Sequence, residues 1–478
     1  MDNTEEFDHL LPIDVQSSKH RDDPNLIAQT VLSAQTQIEN LNENLNAVIW
    51  QDSKLIHTQV EDVIALSAAD TNVDLKLLGV PILVKELDSS ISGTPNSWGN
   101  LQLKQEGYCD TFTSTSVTKL KNAGAIIMGK TNNPELGLTV TTKSKAHGPC
   151  NNPSDVTRNS GGSSGGSAAS VASSMTSVAL GSDGGGSIRI PASLCGVFGF
   201  KPSRGVIPLG PMIEEAWAGL VCKGLLASNL TDLTAVLNTI CESEFKFDIN
   251  PNFGDKLEDL KIGIRSEGFA HLYPINPLIR EALDYLVNYL SALGCQVSVS
   301  SPQAYENESI IKTFLDIIAY NTFQDLEFTR GRMKQPFKLD QCDNETQYFY
   351  ERGRQIDEDW YLQTKDQLNP FSQNISDWHN KFDLLITPTT GDVAPAHGEV
   401  ELNPDESPFI YGGLCFPSNI AGAPALSIPI KNGNKSALPI GLQIIGKRGS
   451  DNLVLNLGEF LNSNYSDIFV TQIRDITS

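Results

Sequence analysis

Two glycine- and serine-rich loops carry the residue types in this chain most able to do chemistry. Between Ser160 and Ser187, 18 of the 28 residues are Gly or Ser. The glycines concentrate in two places, Gly161 to Gly166 and Gly181 to Gly186, and each loop holds serines: Ser163 and Ser164 in the first, Ser182 and Ser187 at the second. Between them, Ala168-Ala-Ser-Val-Ala172 and Val178-Ala-Leu180 are small and apolar, suited to a tightly packed helix and a buried strand, so the stretch is not a flexible linker. Glycine allows close backbone approach, and a loop of consecutive free N–H groups can hold an anion. A serine hydroxyl is a weak nucleophile that needs a base. A lysine can be that base only if it is neutral, which removal from water favours.

Two other motifs compete. Gly161-Gly-Ser-Ser-Gly165 reads as GxSxG, the turn that exposes the nucleophile of an α/β-hydrolase esterase, with Ser163 attacking and His379 or His397 as base. That turn should follow a buried strand, whereas Asn151 to Asn159 is polar and loop-like. Gly124-Ala-Ile-Ile-Met-Gly-Lys-Thr131 matches the phosphate-loop pattern, but its four variable positions are apolar and want to form a strand. We read that match as structural.

The elements that must position these groups alternate between helix and strand. Asp23-Pro24 reads as a helix start, with Ile27, Val31, Ala34, Ile38, Leu41 and Leu45 marking one apolar face as far as Trp50. Leu78 to Val84 reads as a short buried strand ending at Lys85. Thr115 to Ala123 suggests a helix stopped by Gly124, then a strand over Ala125 to Met128. Asn276-Pro277 caps a helix with Leu278, Ala282, Leu283, Leu286, Leu290 and Leu293 on one side. Gln296 to Ser300 alternates as a strand, and Phe382 to Pro388 is a further buried one. The pattern predicts an α/β fold: a central mixed, mostly buried sheet covered by helices on both faces. No long linker divides residues 1–478, which we read as one domain. Residues 300–380, richer in charge and aromatics, are its variable, mostly helical region.

Composition removes several function classes. With 40% hydrophobic and 19% charged residues, the chain has ordinary globular make-up. A net charge of −22 argues against a nucleic-acid partner. No stretch reaches the roughly 20 apolar residues of a membrane span, and Met1 to Val15 lacks the features of a secretory signal, so a cytoplasmic location is expected. The eight scattered cysteines and seven dispersed histidines form no metal-binding spacing. We expect no metal, no cofactor and no membrane partner, and a monomer or homodimer.

The residues also carry a resemblance. Gly161-Gly-Ser-Ser-Gly-Gly-Ser-Ala-Ala169 followed by Gly181-Ser-Asp-Gly-Gly-Gly-Ser-Ile-Arg-Ile-Pro-Ala192 resembles the defining stretch of the amidase signature family. Val84-Lys-Glu-Leu-Asp88, Asn122 to Asn132, Cys195 to Pro202, Asp383 to Thr389, Asn419 to Pro429 and Leu438 to Gly446 are similar to other parts of it. The resemblance implies an amidase that cleaves a carboxylic amide through an acyl-enzyme on Ser187. Ser163, after a cis peptide at Gly162, would be the bridging serine, and Lys85 the base. The 24-residue interval between the two serines favours Ser163 over its neighbour Ser164. Gly184, Gly185 and Gly186, with the Ser187 amide, would form the oxyanion hole, and Asp183 and Arg189 would hold the loop. The substrate would be a small molecule, a linear or cyclic aliphatic amide. The family also contains the amidase subunit of a tRNA-dependent amidotransferase, whose region corresponding to residues 320–365 is not matched here. Cys222-Lys-Gly-Leu-Leu-Ala-Ser228 departs from the Gly-Pro-Leu-Ala-Arg form common in the family.

Overall fold

In a computed structural model, residues 8–69, 74–400, 408–430 and 438–465 are described; the first seven residues of the acidic start, Met1 to Val15, lie outside them. An eleven-stranded mixed sheet runs through the molecule. In chain order its strands are β1 (Val48–Trp50), β2 (Pro81–Lys85), β3 (Ile126–Thr131), β4 (Val178–Asp183), β5 (Phe198–Lys201), β6 (Cys222–Ala227), β7 (Lys261–Ile264), β8 (Gln296–Val299), β9 (Leu384–Pro388), β10 (Ala425–Ile430) and β11 (Ile440–Gly446). Their spatial order is β1-β3-β2-β4-β6-β5-β10-β11-β9-β7-β8.

Alternation along the strands feeds two cores. Ile82, Val84, Leu180 and Leu225 join the larger apolar cluster, while Leu83, Ala179 and Leu226 join a second one. Successive strand side chains point to opposite faces, so the sheet buries apolar residues on both. Helices Thr115–Asn122, Leu230–Ile240, Pro277–Ala292 and Asp451–Asn464 cover the first face. Helices Leu26–Leu45, Ser53–Ala68 and Gly165–Ala172 cover the second. This is the α/β architecture the sequence pattern predicts.

Several boundaries differ. The helix expected from Asp23 to Trp50 spans Leu26–Leu45, because Asn46 turns left-handed (φ 49°) and Trp50 is taken into β1. The segment 151–159 is not a plain loop: Asn151–Asn152 and Asp155–Asn159 pair as a small antiparallel ribbon. In the phosphate-loop match, three of the four apolar positions, Ile126 to Met128, lie inside β3, and Lys130 donates to Asp110 Oδ2 and the Pro95 carbonyl, 2.8 Å each. That lysine is tied to protein acceptors. Asn276 caps helix Pro277–Ala292 by accepting from the Leu278 N–H, and Gly294 follows at φ +90°. The region 300–380 is mostly helical, led by Ile310–Arg330.

For the site, the important fact is where strands end. β2, β3 and β4 run parallel, so their carboxyl ends share one edge, the usual place for a binding crevice in such sheets. β6 is antiparallel to β4 and brings its amino end, Cys222-Lys223, to the same edge.

Candidate active site

Lys85 closes β2, a strand whose five residues are all buried. Its side chain is 0% exposed. The Nζ donates to Ser163 Oγ at 2.8 Å and to Ser182 Oγ at 2.9 Å, and Asp88 Oδ2 stands 4.0 Å away. Burial pulls the ammonium down to about 8, although the carboxylates of Asp88 and Asp183 resist that fall. A free lysine titrates near 10.4. The neutral fraction at pH 7 therefore rises from well under a thousandth to about one-tenth.

Ser163 precedes helix Gly165–Ala172, and the Gly162–Ser163 peptide is cis. The neighbouring Ser164 is used otherwise: its hydroxyl donates to the Ser182 carbonyl of β4 at 3.2 Å, and its N–H donates to the Ser187 carbonyl at 3.1 Å. The first contact ties the serine loop to β4, the second to the glycine loop. Only Ser163 of the two adjacent serines presents its hydroxyl to Lys85.

Ser187 follows three glycines between β4 and helix Arg189–Cys195. The glycines allow close approach. A Cβ on Gly184 would come within 2.9 Å of the Trp217 ring, and one on Gly185 within 2.8 Å of Phe314 Cζ. The Gly186 N–H is already given to Asp183 Oδ1 at 2.7 Å. Among the described residues, the N–H groups of Gly184, Gly185 and Ser187 have no such acceptor.

Asp183 and Arg189 meet below this loop, both 0% exposed. Arg189 Nε and Nη2 donate to the two carboxylate oxygens, 2.9 Å each. The remaining guanidinium donors reach Ser418 Oγ, Asn419 Oδ1 and Gln443 Oε1 at 2.7–3.1 Å. Asp183 also accepts from the Ile188 N–H and from Asn419 Nδ2. Burial alone would raise its pKa, but Arg189 overcomes that and holds the carboxyl well below the usual range. The pair thus pins both ends of the turn that presents Ser187.

Ser163, Ser182 and Ser187 all line one cavity of about 530 Å³, and Ser187 also borders a second chamber of about 90 Å³. Trp217 and Gly137 stand between the two. The large chamber has mainly apolar walls, including Trp98, Phe112, Leu136, Met212 and Phe328, with buried Lys223, partly buried Asp88 and the exposed charges Glu215, Asp325 and Arg332. Asp325, on helix Ile310–Arg330, faces the chamber space.

The two histidines of the esterase reading are elsewhere. His379 is buried beside Trp378, its Nδ1 bonded to the Phe382 carbonyl, and burial lowers it to about 4. His397 borders a neighbouring depression that shares Thr139, Thr141, Glu345 and Val400 with the small chamber. Neither lines the chambers that Ser187 borders. The sequence reading missed Ser182, which shares Lys85 with Ser163, and the cavity charges Asp88, Asp325 and Lys223. Ser182 stands inside the Gly181–Ala192 motif, but its nearness to Lys85 follows from the pairing of β2 with β4, which no local pattern encodes.

Comparison with known proteins fits this geometry. The amidase family matches over residues 29–455. The 6-aminohexanoate-cyclic-dimer hydrolase of Paenarthrobacter ureafaciens is 31% identical over 402 residues, covering 79% of this chain and 81% of that protein. One chain of the glutamyl-tRNA(Gln) amidotransferase of Saccharolobus solfataricus is 29% identical over 461 residues, covering 91% of this chain and 92% of that one. A structure of 6-aminohexanoate cyclic dimer hydrolase complexed with substrate superposes with a TM-score of 0.84 at 28% identity, over 95% of this chain and 97% of that one.

Proposed function

The chain belongs to the amidase family, and on that premise we propose that it cleaves its amide through an acyl-enzyme on Ser187, with Ser163 and Lys85 moving the proton. The observation that carries this reading is the 2.8 Å contact between Lys85 Nζ and Ser163 Oγ, at the wall of the cavity that Ser187 borders.

The substrate carbonyl is attacked by Ser187 Oγ. The departing proton passes to Ser163 Oγ as that hydroxyl gives its own to neutral Lys85 Nζ. The charge that develops on the carbonyl oxygen is received by the free N–H groups of Gly184, Gly185 and Ser187. Gly186, whose N–H is occupied by Asp183, keeps the loop in shape instead. Return of the proton from Lys85 through Ser163 to the leaving nitrogen expels the amine or ammonia. A water then repeats the sequence on the ester. Ser182 holds Lys85 in line, and Asp183 with Arg189 fixes the loop. Each oxyanion donor is worth about 3 kcal/mol of transition-state stabilisation.

Two chambers on either side of Ser187 suit the two halves of an amide, and the mainly apolar walls favour an aliphatic one, linear or cyclic. The relationship to a 6-aminohexanoate-cyclic-dimer hydrolase supports that choice. We read the chain as one catalytic domain. The helix Ile310–Arg330 of its variable region lends Asn321, Asp325 and Phe328 to the large chamber, where they shape substrate choice. No described helix is long and apolar enough to cross a membrane. The eight free cysteines support the reducing cytoplasm as its location.

The test is labelling and mutation together. A fluorophosphonate should modify Ser187, and the purified chain should hydrolyse simple amides without partner subunits, tRNA or ATP. Lys85→Ala should remove amide hydrolysis, and retain more ester hydrolysis because a better leaving group needs less proton return. Label on Ser163 with Ser187 free, or loss of activity on His379→Ala with Lys85→Ala still active, would overturn the assignment. Inactivity until partner subunits, ATP and charged tRNA are supplied would favour the amidotransferase.

A further inference from the structure

One wall of the large chamber holds two polar residues, Ser114 and Lys223, that the amide cleavage described above does not use. Lys223 stands near the amino end of β6, paired in register with Ser182 of β4, which places it one strand away from the Lys85 contact. It is 2% exposed and lines the cavity. Its Nζ donates to Ser116 Oγ at 3.1 Å, which leaves two of its three N–H donors. Helix Thr115–Asn122 presents its first turn here, with Ser114 at the N-cap position. An N-cap serine normally accepts from the first turn of its helix. Ser114 does not: its side chain makes no cap bond, the residue is 2% exposed, and its Oγ has no partner among the described residues. Ser114 and Ser90, joined by a backbone hydrogen bond of 2.9 Å, both line the cavity. Facing them is Asp88, whose Oδ2 also lacks a hydrogen-bond partner. Buried polar atoms are almost always satisfied. Ser114 Oγ, without a partner, and Lys223, with donors to spare, share this cavity wall with Asp88, which also stands 4.0 Å from Lys85 Nζ, and together they point to a ligand.

The chemistry of that ligand follows from the signs. On this wall a carboxylate would meet Lys223 but be repelled by Asp88, and the rest of the chamber adds charges of both signs, Arg332 against Glu215 and Asp325. An ammonium would meet the carboxylates but be repelled by Lys223. A neutral group that both donates and accepts satisfies the whole set, with its oxygen toward Lys223 and Ser114 and its N–H toward Asp88. We propose that Asp88, Ser114 and Lys223 form a subsite for a second amide group, so that the substrate class is a diamide with one amide at Ser187 and another held on this wall. This rests on Ser187 being the site of cleavage. Lys223 immediately precedes Gly224–Ser228, where the chain departs from the Gly-Pro-Leu-Ala-Arg form. Loss of a hydrogen bond to a charged group is expected to cost binding about 10- to 100-fold.

The experiment uses primary amides of increasing methylene length that end in an N-methylamide, a methyl ketone, a carboxylate, an ammonium or a methyl group. In the wild-type enzyme, kcat/KM should peak at one chain length for the N-methylamide series, about tenfold or more above the other four endings. Ser114→Ala and Lys223→Met should each bring that peak down toward the ketone value, and leave the methyl-terminated monoamides within about threefold. If Lys223→Met does not fold, Lys223→Gln, which keeps one donor, should retain part of the preference. Calorimetric binding of the same series to Ser187→Ala should show the same order. A best substrate ending in carboxylate or ammonium would overturn the proposal, as would equal rates for ketone and amide, or variants that slow monoamides and diamides alike. Monoamide turnover persisting in Ser187→Ala would refute the cleavage assignment, while the wild-type preference still reads the subsite.

Discussion

Replacing Asp88 by Asn should make the enzyme a better catalyst at neutral pH. Asp88 Oδ2 lies 4.0 Å from Lys85 Nζ, with its side chain 29% exposed toward the cavity. Two unit charges at that distance interact by about 1 kcal/mol in water and about 4 kcal/mol at the effective dielectric of a protein site. A partly wetted cavity wall lies between these limits, so about 1–3 kcal/mol is removed from the ammonium form, or roughly one to two pKa units. Asp183, the other carboxylate that supports the charge, remains. Lys85 should fall from about 8 to about 6–7. The base works when neutral, so the acid limb of the pH–rate profile moves to lower pH. At pH 7 the neutral fraction rises from about one-tenth to about half or more, an increase of about fivefold. The alkaline plateau should drop somewhat, because a weaker base pulls less strongly on the proton. The assay is kcat/KM on a methyl-terminated monoamide, for wild type and Asp88→Asn, from about pH 5 to pH 10. If the limb stays in place or moves to higher pH, Lys85 is not the base that sets it.

Asp183→Asn strands the buried Arg189 guanidinium, and removing one partner of such a pair costs about 3–5 kcal/mol; urea unfolding at pH 7 should show a loss in that range, with lower kcat. Gly185→Ala puts a Cβ 2.8 Å from Phe314 Cζ. It should cost about 1–3 kcal/mol of stability through overpacking and displace an oxyanion donor, lowering kcat by about 10²- to 10³-fold with less change in KM. Glu135, 2% exposed, is lifted to about 7 by burial, aided by the nearby Asp343 carboxylate. The folded state therefore holds a proton that the unfolded chain has lost, and the stability this contributes is present at low pH and fades as pH rises from about 4.3 through about 7. Glu135→Gln should flatten that decline by up to about 3 kcal/mol between pH 5 and 8, read by urea midpoints.

What the chain reveals locally and what it hides divide along one physical line. The helix Pro277–Ala292 and strand β2 were legible because their signals are short-range: a capping Asn before Pro, a 3.6-residue apolar spacing, an apolar run ending in Lys85. The two serine loops were legible because glycine at such density has few other uses. The end of helix Leu26–Leu45 was misplaced because Asn46, not a glycine, takes the left-handed turn, and the 151–159 ribbon was missed because its pairing residues are polar. Strand order has no local signal. That β4 lies between β2 and β6 decides that Lys85 meets Ser182, and that Ser182 is flanked by Lys223, residues 97 and 41 positions apart respectively in the chain. One sheet edge thereby collects two lysines with different surroundings. Lys85 is held by two serines and faces two carboxylates, which fits it to exchange a proton. Lys223 is held by one serine and looks into the same cavity, with donors left over. Both are drawn to about 8 by burial, so acidity alone does not distinguish them. Geometry does, since Lys85 contacts the hydroxyl of Ser163, whereas the Lys223 ammonium lies beside an uncapped helix start whose serine hydroxyl is unsatisfied.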